Sequence, residues 1–412
     1  MLFSAQEYAD LVLPLLNSEP SDAEEAVAKI AFSHLCEPSD ILPGLLRQHT
    51  NLKDVLQYLI DRLDAQQVAG KLGPDVVTDI EDQLQNNFGV IWSNATERWT
   101  PRLSKAQVVE SLAWMNAGAG GVGGKPSLCL FGSDDYPLAF EDLRFHQPPV
   151  LWLAGNLQLL SAEHLLSVVG TRQASRYGTE VTREIAAVAG LNDLPTVSGG
   201  AFGIDAVAHE SAVALHAPTI AFMAGGLGNL YPRSNQGLLR AVSQSGLLVS
   251  ESPPSVVPAK WRFLMRNRLI AALGSATVVV EAGKTSGALN TATTAVKLGR
   301  PVAIVPGLMS SARSIGCHDF LNRYPGEVQI LARPKQVLEL VGCSVAAEAT
   351  VEKLGQLERR ALDTFGISPV EVWEVQRLAG LTVRETQIAL GSLEVLGLVQ
   401  RIGGRYQRLL QP

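Results

Sequence analysis

The chain has 412 residues, of which 46% are hydrophobic and 18% charged, so it carries enough apolar side chain for a large core and is not a disordered or fibrous protein. Its four cysteines are far apart and form no CxxC pair, which excludes a disulfide scaffold and a ribbon-type zinc site and favours a reducing compartment. The net charge of −6 is unevenly divided: residues 1–165 hold 10 Lys and Arg against 22 Asp and Glu, whereas residues 166–332 hold 14 against 9. The local charge of the basic middle third, rather than the net charge of the whole chain, therefore indicates what kind of partner the protein binds.

Residues 1–115 are acidic and carry apolar side chains at helical spacing, as in YADLVLPLL, EEAVAKIAF and LKDVLQYLIDRL, so we expect a helical N-terminal domain. A glycine-rich stretch, AGAGGVGGKP, then breaks any helix. The N-terminus has no basic segment followed by an apolar one, and no run of about 18 apolar residues occurs. These features predict a soluble, cytoplasmic protein with no membrane partner.

Residues 116–341 are expected to form one domain, in which the sequence from Leu165 onward repeats a short apolar run, a small or polar residue and an amphipathic helix. The six runs are LLSVVG, PTVSGG, TIAFMAGG, GLLVSES, ATVVVEA and PVAIVPG. Continuous Val, Ile and Ala runs are typical of strands that are buried on both faces, and strands that alternate with helices imply right-handed crossovers. The predicted fold class is therefore α/β, with a Rossmann-like, doubly wound parallel sheet.

Residues 342–356 are expected to be a linker, and residues 357–412 a C-terminal winged helix. Three helical segments precede a hairpin, LVQRIGGRYQRLL, whose turn is a pair of glycines. Thr382 and Glu385 have the spacing of a capping box, and Gly397 stands where a helix C-cap belongs.

The carboxyl ends of the predicted strands collect glycines, a hydroxyl, an arginine and two carboxylates, and this is the edge where open parallel sheets bind ligands. Arg172 follows the first strand, where a guanidinium meets a phosphate well. The SGGAFGID turn follows the second strand and opens a helix, so its main-chain N–H groups favour an anion. The alternative is that Arg172 pairs with a carboxylate at the sheet edge and that the glycines only permit a tight turn. The turn residues predicted to hold a phosphate are Ser198, Gly199, Gly200, Ala201 and Gly203.

A second basic element is PAKWRFLMRNRLIAALG, in which cations interleave with aromatic rings at the start of a helix. Several cations there oppose the helix dipole, so an external anion explains them. Cations beside exposed rings hold single-stranded nucleic acid by charge and by stacking. The alternative is a solvated basic face with both rings buried. The predicted contacts are Lys260, Phe263, Arg266 and Arg268, with Arg233 and Asn235 of YPRSN extending the same groove.

Cofactor and catalytic motifs are weak in this sequence. The first strand is followed by GTRQASRYG rather than GxGxxG, and the EAGKTSGALNTA turn lacks Walker A spacing. Asp205 and His209 share a helix face, but no third metal ligand stands out. Glu251 and Glu281 are candidates for an acid/base pair, although such residues more often hold neighbouring N–H groups or basic side chains. We therefore predict no cofactor, no metal and no catalytic residue.

In chain order, DDYP, PPVLWLAG, VGTRQAS, SGGAFGID, YPRSN, RNRLIAALG and VVVEA resemble the DNA-processing protein A (Smf) family over about 200 residues. The resemblance implies a Rossmann-like core that binds single-stranded DNA, forms a homodimer and is not an enzyme. It also implies a phosphate grip at Arg172 and the SGGA turn, with Lys260, Phe263 and Arg233 nearby. The chain departs from the family in its long acidic N-terminal region and in GCHDFLNRYPGE, which replaces an asparagine-containing turn.

Three hypotheses for function follow. The first, which the resemblance implies, is a non-enzymatic protein that protects incoming single-stranded DNA and loads a RecA-type recombinase during natural transformation. The second is a nucleotide hydrolase of the lysine-decarboxylase-like phosphoribohydrolase type, although the PGGxGTxxE loop of such enzymes is missing. The third makes the winged helix a sequence-specific reader of duplex DNA. Its candidate recognition helix carries one Arg against two Glu, so contact with a protein is at least as good an interpretation.

Overall fold

The computed structural model describes residues 2–38, 40–343, 355–365, 369–395 and 398–408. The chain divides into two compact units, Met1–Gly342 and Cys343–Pro412. Among the described residues, no helix is both long enough and apolar enough to cross a membrane. The predicted linker lies mostly outside the described residues, and the domain boundaries proposed from the sequence stay predictions.

The first unit begins with helices, as the spacing of apolar residues predicts. Ser4 and Glu7 form a capping box at the first helix, and Asp22 caps the second. The apolar faces of the helices share a core in which the rings of Trp92 and Trp99 pack edge to face, with their centres 6.3 Å apart. The helices are α1 (Ala5–Leu11), α2 (Ala23–Leu35), α3 (Leu42–Leu46), α4 (Leu52–Ile60), α5 (Ala65–Leu72), α6 (Pro74–Leu84), α7 (Phe88–Trp99) and α8 (Lys105–Asn116).

A nine-stranded sheet follows, in the spatial order β1-β2-β6-β5-β4-β3-β7-β8-β9 among the described residues. The six predicted strands are β3 to β8, and every pair between them is parallel, so the predicted doubly wound sheet is confirmed. The first two strands extend one end of the sheet as antiparallel neighbours. The strands are β1 (Pro126–Leu130), β2 (Val150–Gly155), β3 (Leu166–Val169), β4 (Thr196–Ser198), β5 (Thr219–Phe222), β6 (Leu247–Ser250), β7 (Ala276–Val279), β8 (Val302–Ile304) and β9 (Val328–Ile330).

Apolar cores lie on both faces of the sheet, which explains the uninterrupted apolar runs. In β6, Leu247 and Val249 pack into one core while Leu248 packs into the other. Successive side chains of a strand point to opposite faces, so every position must be apolar when helices cover both. The helices that alternate with the strands are α9 (Arg176–Leu191), α10 (Ile204–Ala214), α11 (Gln236–Ser245), α12 (Lys260–Leu273), α13 (Ala288–Lys297), α14 (Ile315–Arg323) and α15 (Gln336–Leu340).

The second unit contains the predicted three helices and hairpin. Thr382 and Glu385 form the reciprocal hydrogen bonds of a capping box, with Glu385 N–H 3.3 Å from Thr382 Oγ1 and Thr382 N–H 2.8 Å from Glu385 Oε2. Gly397 lies outside the described residues, and the assignment to the winged-helix class stays a prediction. The elements are α16 (Gln356–Leu362), β10 (Val370–Glu371), α17 (Val372–Ala379), α18 (Val383–Val395), β11 (Val399–Ile402) and β12 (Arg405–Arg408).

Candidate nucleic-acid interface

A cleft of about 640 Å³ opens beyond the carboxyl ends of β3, β4 and β7. The chain reverses its direction across the sheet at β3, since β4 to β6 are added on one side of it and β7 to β9 on the other. Doubly wound sheets leave a crevice at such a point, and crevices of this kind bind ligands. The walls come from the loop after β3, the turn before α10, the first turns of α12 and the loop after β7.

Arg172 is exposed in this cleft and forms no ion pair among the described residues. Its guanidinium lies 5.0 Å from the centre of the Phe263 ring, a cation–π contact that leaves its N–H groups to solvent. The loop that carries it is fixed, because Thr171 N–H donates to the main chain of Glu281 at 2.7 Å and Arg313 Nε donates to the main chain of Gln173 at 2.9 Å. The arginine is therefore available to an external anion, and the alternative of a carboxylate partner at the sheet edge is wrong.

The carboxylate of Glu281 holds the start of α9. It accepts hydrogen bonds from the main-chain N–H of Ser175 at 2.9 Å and from the Ser175 hydroxyl at 2.6 Å. Ser175 in turn caps the helix by accepting from Gly178 N–H. Glu281 is only 4% exposed, and each of its carboxylate oxygens has a partner. Its position fits the role of holding neighbouring backbone rather than a role in acid/base catalysis.

The SGGA turn after β4 is largely buried and lies beside a carboxylate. Asp205 of α10 is 7% exposed and, like Ala201 of the turn, lines the cleft. Burial raises the pKa of Asp205, while the Arg266 cation and the neighbouring N–H groups of Ala201 and Gly199 act in the opposite direction. A carboxylate therefore lies next to the N–H groups that are predicted to face a phosphate, and phosphate binding by the turn stays a prediction.

Two contacts lock this turn in place. The side-chain amide of Asn235 donates to the main-chain oxygens of Gly200 at 3.2 Å and of Ala201 at 3.3 Å. Gly203 has φ +77°, and a Cβ at this position would lie 2.2 Å from the main-chain oxygen of Thr171. Only glycine fits so close an approach with that backbone conformation. The turn and the Arg172 loop thus form one rigid structure.

The start of α12 brings a second cation and a ring to the same cleft. Lys260 is exposed and has no ion-pair partner among the described residues. Phe263, one turn later, is half-buried between Arg172 and the ring of Tyr231, whose centre is 5.8 Å away in an edge-to-face arrangement. The sequence prediction that Arg172, Lys260 and Phe263 belong to one site matches their common place in the cleft wall.

Arg266 and Arg268, which the sequence predicts to contact nucleic acid, donate to oxygens of the protein itself. Arg266 lines the cleft but is only 4% exposed, and it donates to the main-chain oxygens of Gly199, at 2.8 Å, and Phe222. Burial lowers its pKa to about 10, so it remains a cation at neutral pH. Arg268 pairs with Glu251, with Nη2 2.6 Å from Oε2. Both arginines therefore hold the scaffold, and their contact with nucleic acid stays a prediction.

Of the remaining predicted residues, one is buried in the scaffold and one is exposed. Ser198 is buried and its hydroxyl donates to Val168 O at 2.6 Å. Arg233 is exposed and has no ion-pair partner among the described residues, but it is not part of the cleft wall. Sequence reasoning missed Tyr231, which is 43% exposed and lines the cleft. The sequence contained a pattern that could have identified it, since Tyr231 is the first residue of the YPRSN segment in which Arg233 is predicted to bind.

Comparison with known proteins finds related sequences. The family model for DNA recombination-mediator protein A matches residues 127–342. DNA processing protein DprA of Mycobacterium tuberculosis is 40% identical over 273 residues, which cover 64% of this chain and 69% of that protein. Protein Smf of Escherichia coli is 31% identical over 305 residues, which cover 69% of this chain and 80% of that protein.

A solved structure supports the same assignment. The X-ray structure of DNA processing protein A from Streptococcus pneumoniae is similar to this chain with a TM-score of 0.57 and 26% sequence identity. The match covers 77% of this chain and 97% of that one. Because the family model spans more than half of the residues and these relatives align over most of their own length, the chain belongs to the DNA recombination-mediator protein A family.

Proposed function

We propose that the chain binds single-stranded DNA in the cleft beyond β3 and acts as a recombination mediator without catalysis. The observation that carries the proposal is the exposed guanidinium of Arg172, which lies over the Phe263 ring and has no carboxylate partner among the described residues. An exposed cation attracts phosphate, and its position on a rigid loop means that little order is lost on binding.

The aromatic rings favour a single strand over a duplex. Phe263 and the exposed Tyr231 present ring surface in the wall that also carries Arg172 and Lys260. Unpaired bases stack on such rings, whereas the bases of a duplex are already stacked on one another. Cations for the backbone and rings for the bases together fit an unpaired strand.

Phosphate binding is assigned first to the side chains that are exposed in the cleft, Arg172 and Lys260, which contribute charge. The SGGA turn contributes a rigid support, since Asn235 holds its main-chain oxygens, and Ala201 of the turn lines the cleft. The partners of Glu281 support a protein without hydrolase activity, since Ser175 engages both carboxylate oxygens.

The proposed biological role follows from family membership. The family is described as a DNA recombination mediator, and its relatives are called DNA processing proteins. We infer that this chain acts in the cytoplasm as a homodimer, protects incoming single-stranded DNA and loads a RecA-type recombinase during natural transformation. Gel filtration with light scattering tests the dimer, and a strand-exchange assay with RecA-type recombinase tests the loading.

Fluorescence anisotropy with a labelled oligothymidylate, measured over a range of salt, tests the DNA site. We expect Arg172→Ala and Lys260→Ala each to weaken binding by about tenfold and to reduce the slope of log affinity against log salt by about 0.7, because each removes one phosphate contact. Arg176→Ala is the matched control, since Arg176 is exposed on α9 and pairs with Glu180 at 2.9 Å. Unchanged affinity and slope in both cleft variants would overturn the proposal.

A further inference from the structure

A second cavity, of about 760 Å³, lies among the acidic N-terminal helices and shares no lining residue with the DNA cleft. Its volume falls within the range of about 300–1,000 Å³ that is usual for sites that bury a ligand. It is bounded by α1, by the start of α2 and by α4. No step of DNA binding uses it.

The cavity is a groove between two pairs of packed helices. In one pair α1 packs on α8, and Glu7 and Lys105 join them by an ion pair of 2.7 Å. In the other pair α2 packs on α4, and Asp22 and Lys53 join them at 2.5 Å. The two pairs are joined where α2 packs on α8, and the groove lies between α1, the start of α2 and α4.

The floor of the groove is apolar. Phe3, Val27 and Leu56 line it and are almost completely buried, while Ile60 at its end is 41% exposed. Tyr8 also lines the groove and is 8% exposed, yet its hydroxyl has no hydrogen-bond partner among the described residues. The hydroxyl itself is closed off from solvent, so Tyr8 contributes its ring to the apolar floor.

The rim of the groove is negatively charged. Glu19, Glu24 and Asp54 stand around it, and none of them forms an ion pair among the described residues. Lys53 also lines the groove, but its charge is already paired with Asp22. A polyanion such as DNA is repelled here, whereas a ligand with Lys or Arg beside apolar side chains is attracted.

We propose that this groove binds a cationic amphipathic helix from a partner protein. An apolar groove between helices takes the apolar face of such a helix, and the acidic rim takes its basic flanks. Because the groove and the DNA cleft have separate walls, the partner and the DNA bind at the same time.

A synthetic peptide tests the proposal on the intact protein without DNA. The probe is a labelled helix of about 18 residues, made of leucine at helical spacing and lysine elsewhere. A scrambled peptide of the same composition and a leucine–glutamate peptide of the same spacing serve as controls. We expect saturable binding of the first peptide only, and we expect oligothymidylate not to displace it from the groove.

Substitutions in the chain test whether the peptide binds in the groove. Glu19→Gln, Glu24→Gln and Asp54→Asn together should weaken peptide binding by about tenfold, since three charge pairs are lost. The matched control is Asp82→Asn, Glu97→Gln and Glu110→Gln, which removes the same charge from nearby helices outside the groove.

Ala9→Trp should abolish peptide binding by filling the groove, since Ala9 lines it and is exposed on α1. Oligothymidylate affinity, measured in parallel, should stay at the wild-type value in every variant and shows that the chain is folded. No saturable peptide binding at about 1 mM, or equal binding by the groove-filled and wild-type proteins, would overturn the proposal.

Discussion

Arg262 of α12 donates two hydrogen bonds to the carboxylate of Glu37, with Nε 3.1 Å from Oε2 and Nη2 2.9 Å from Oε1. Arg102 approaches the same carboxylate at 2.9 Å. Glu37 follows α2, whereas Arg262 lies between the cleft residues Lys260 and Phe263. One acidic residue of the N-terminal helices therefore anchors the helix turn that carries the cation and the ring of the DNA site.

Glu37→Gln tests this anchor. We expect the free energy of unfolding to fall by about 1–2 kcal/mol, because the largely buried guanidinium of Arg262 loses its carboxylate, which it shares with the exposed Arg102. Thermal unfolding followed by circular dichroism measures the change. Glu97→Gln is the control, since Glu97 is exposed on α7. Equal unfolding temperatures for the two variants would show that the ion pair adds no stability.

The strands were predictable where their burial requires a local run of apolar residues in the sequence. β3 to β8 are covered on both faces, so their sequences are mostly apolar, as in Leu247, Leu248 and Val249 of β6. β9 was not predicted, because Gln329 and Ile330 are exposed at the end of the sheet and the strand has no apolar run. The place of β1 and β2 in the sheet was also missed, since antiparallel pairing with β6 is a contact between distant segments.

The site was predictable in its residue types but not in their burial. Lys260 and Arg266 stand on the same helix in the same basic segment, yet only Lys260 is exposed. The depth of Arg266 is set by carbonyl groups at the ends of β4 and β5, which no local pattern reveals. In the same way, the sequence does not show that Asp205 is buried and close enough to Arg266 for the two charges to interact.

Gly203→Ala tests whether the SGGA turn and the Arg172 loop act as one structure. The added Cβ would stand 2.2 Å from Thr171 O and 2.7 Å from the Arg172 carbonyl carbon, at φ +77°. We expect a loss of about 2–3 kcal/mol in the free energy of unfolding, together with weaker binding of oligothymidylate.

Gly287→Ala is the matched control for that substitution. Gly287 lines the same cleft, has φ −60° and has open space around a Cβ. It should keep wild-type stability and affinity. If Gly203→Ala binds the oligonucleotide with the same affinity as Gly287→Ala, the two loops are not coupled.

Phe263→Leu tests stacking separately from charge. Since base stacking on a ring contributes about 1–3 kcal/mol, affinity for oligothymidylate should fall by about tenfold while the salt slope stays the same. An abasic oligonucleotide should bind the variant and the wild type equally, because it has no base to stack. Trp261→Leu is the control, since Trp261 is 39% exposed and contacts Arg262 outside the cleft wall. A tenfold loss with the abasic oligonucleotide as well would assign Phe263 to positioning Arg172 alone.

Stability should fall as the pH drops below about 6.5, because two histidines are buried as neutral rings. Burial lowers the pKa of His34 to about 4 and that of His209 to about 3. Between pH 6.5 and pH 5 the unfolded chain takes up protons that the folded chain does not, so each of these histidines costs about 1.4 kcal/mol per pH unit there. Above pH 6.5 both states hold the neutral ring, and this contribution to stability is complete.

His34→Phe tests the assignment. The His34 ring packs edge-on against Trp152 with the ring centres 5.8 Å apart, and its Nε2 has no hydrogen-bond partner among the described residues, so a phenylalanine ring fits the site. Urea unfolding measured at several pH values should show a slope that is smaller than the wild-type slope by about 1.4 kcal/mol per pH unit between pH 6.5 and pH 5. His216→Asn is the control, since His216 is exposed and has φ +55°, which asparagine tolerates. A wild-type slope in His34→Phe would mean that His34 does not oppose protonation in the folded chain.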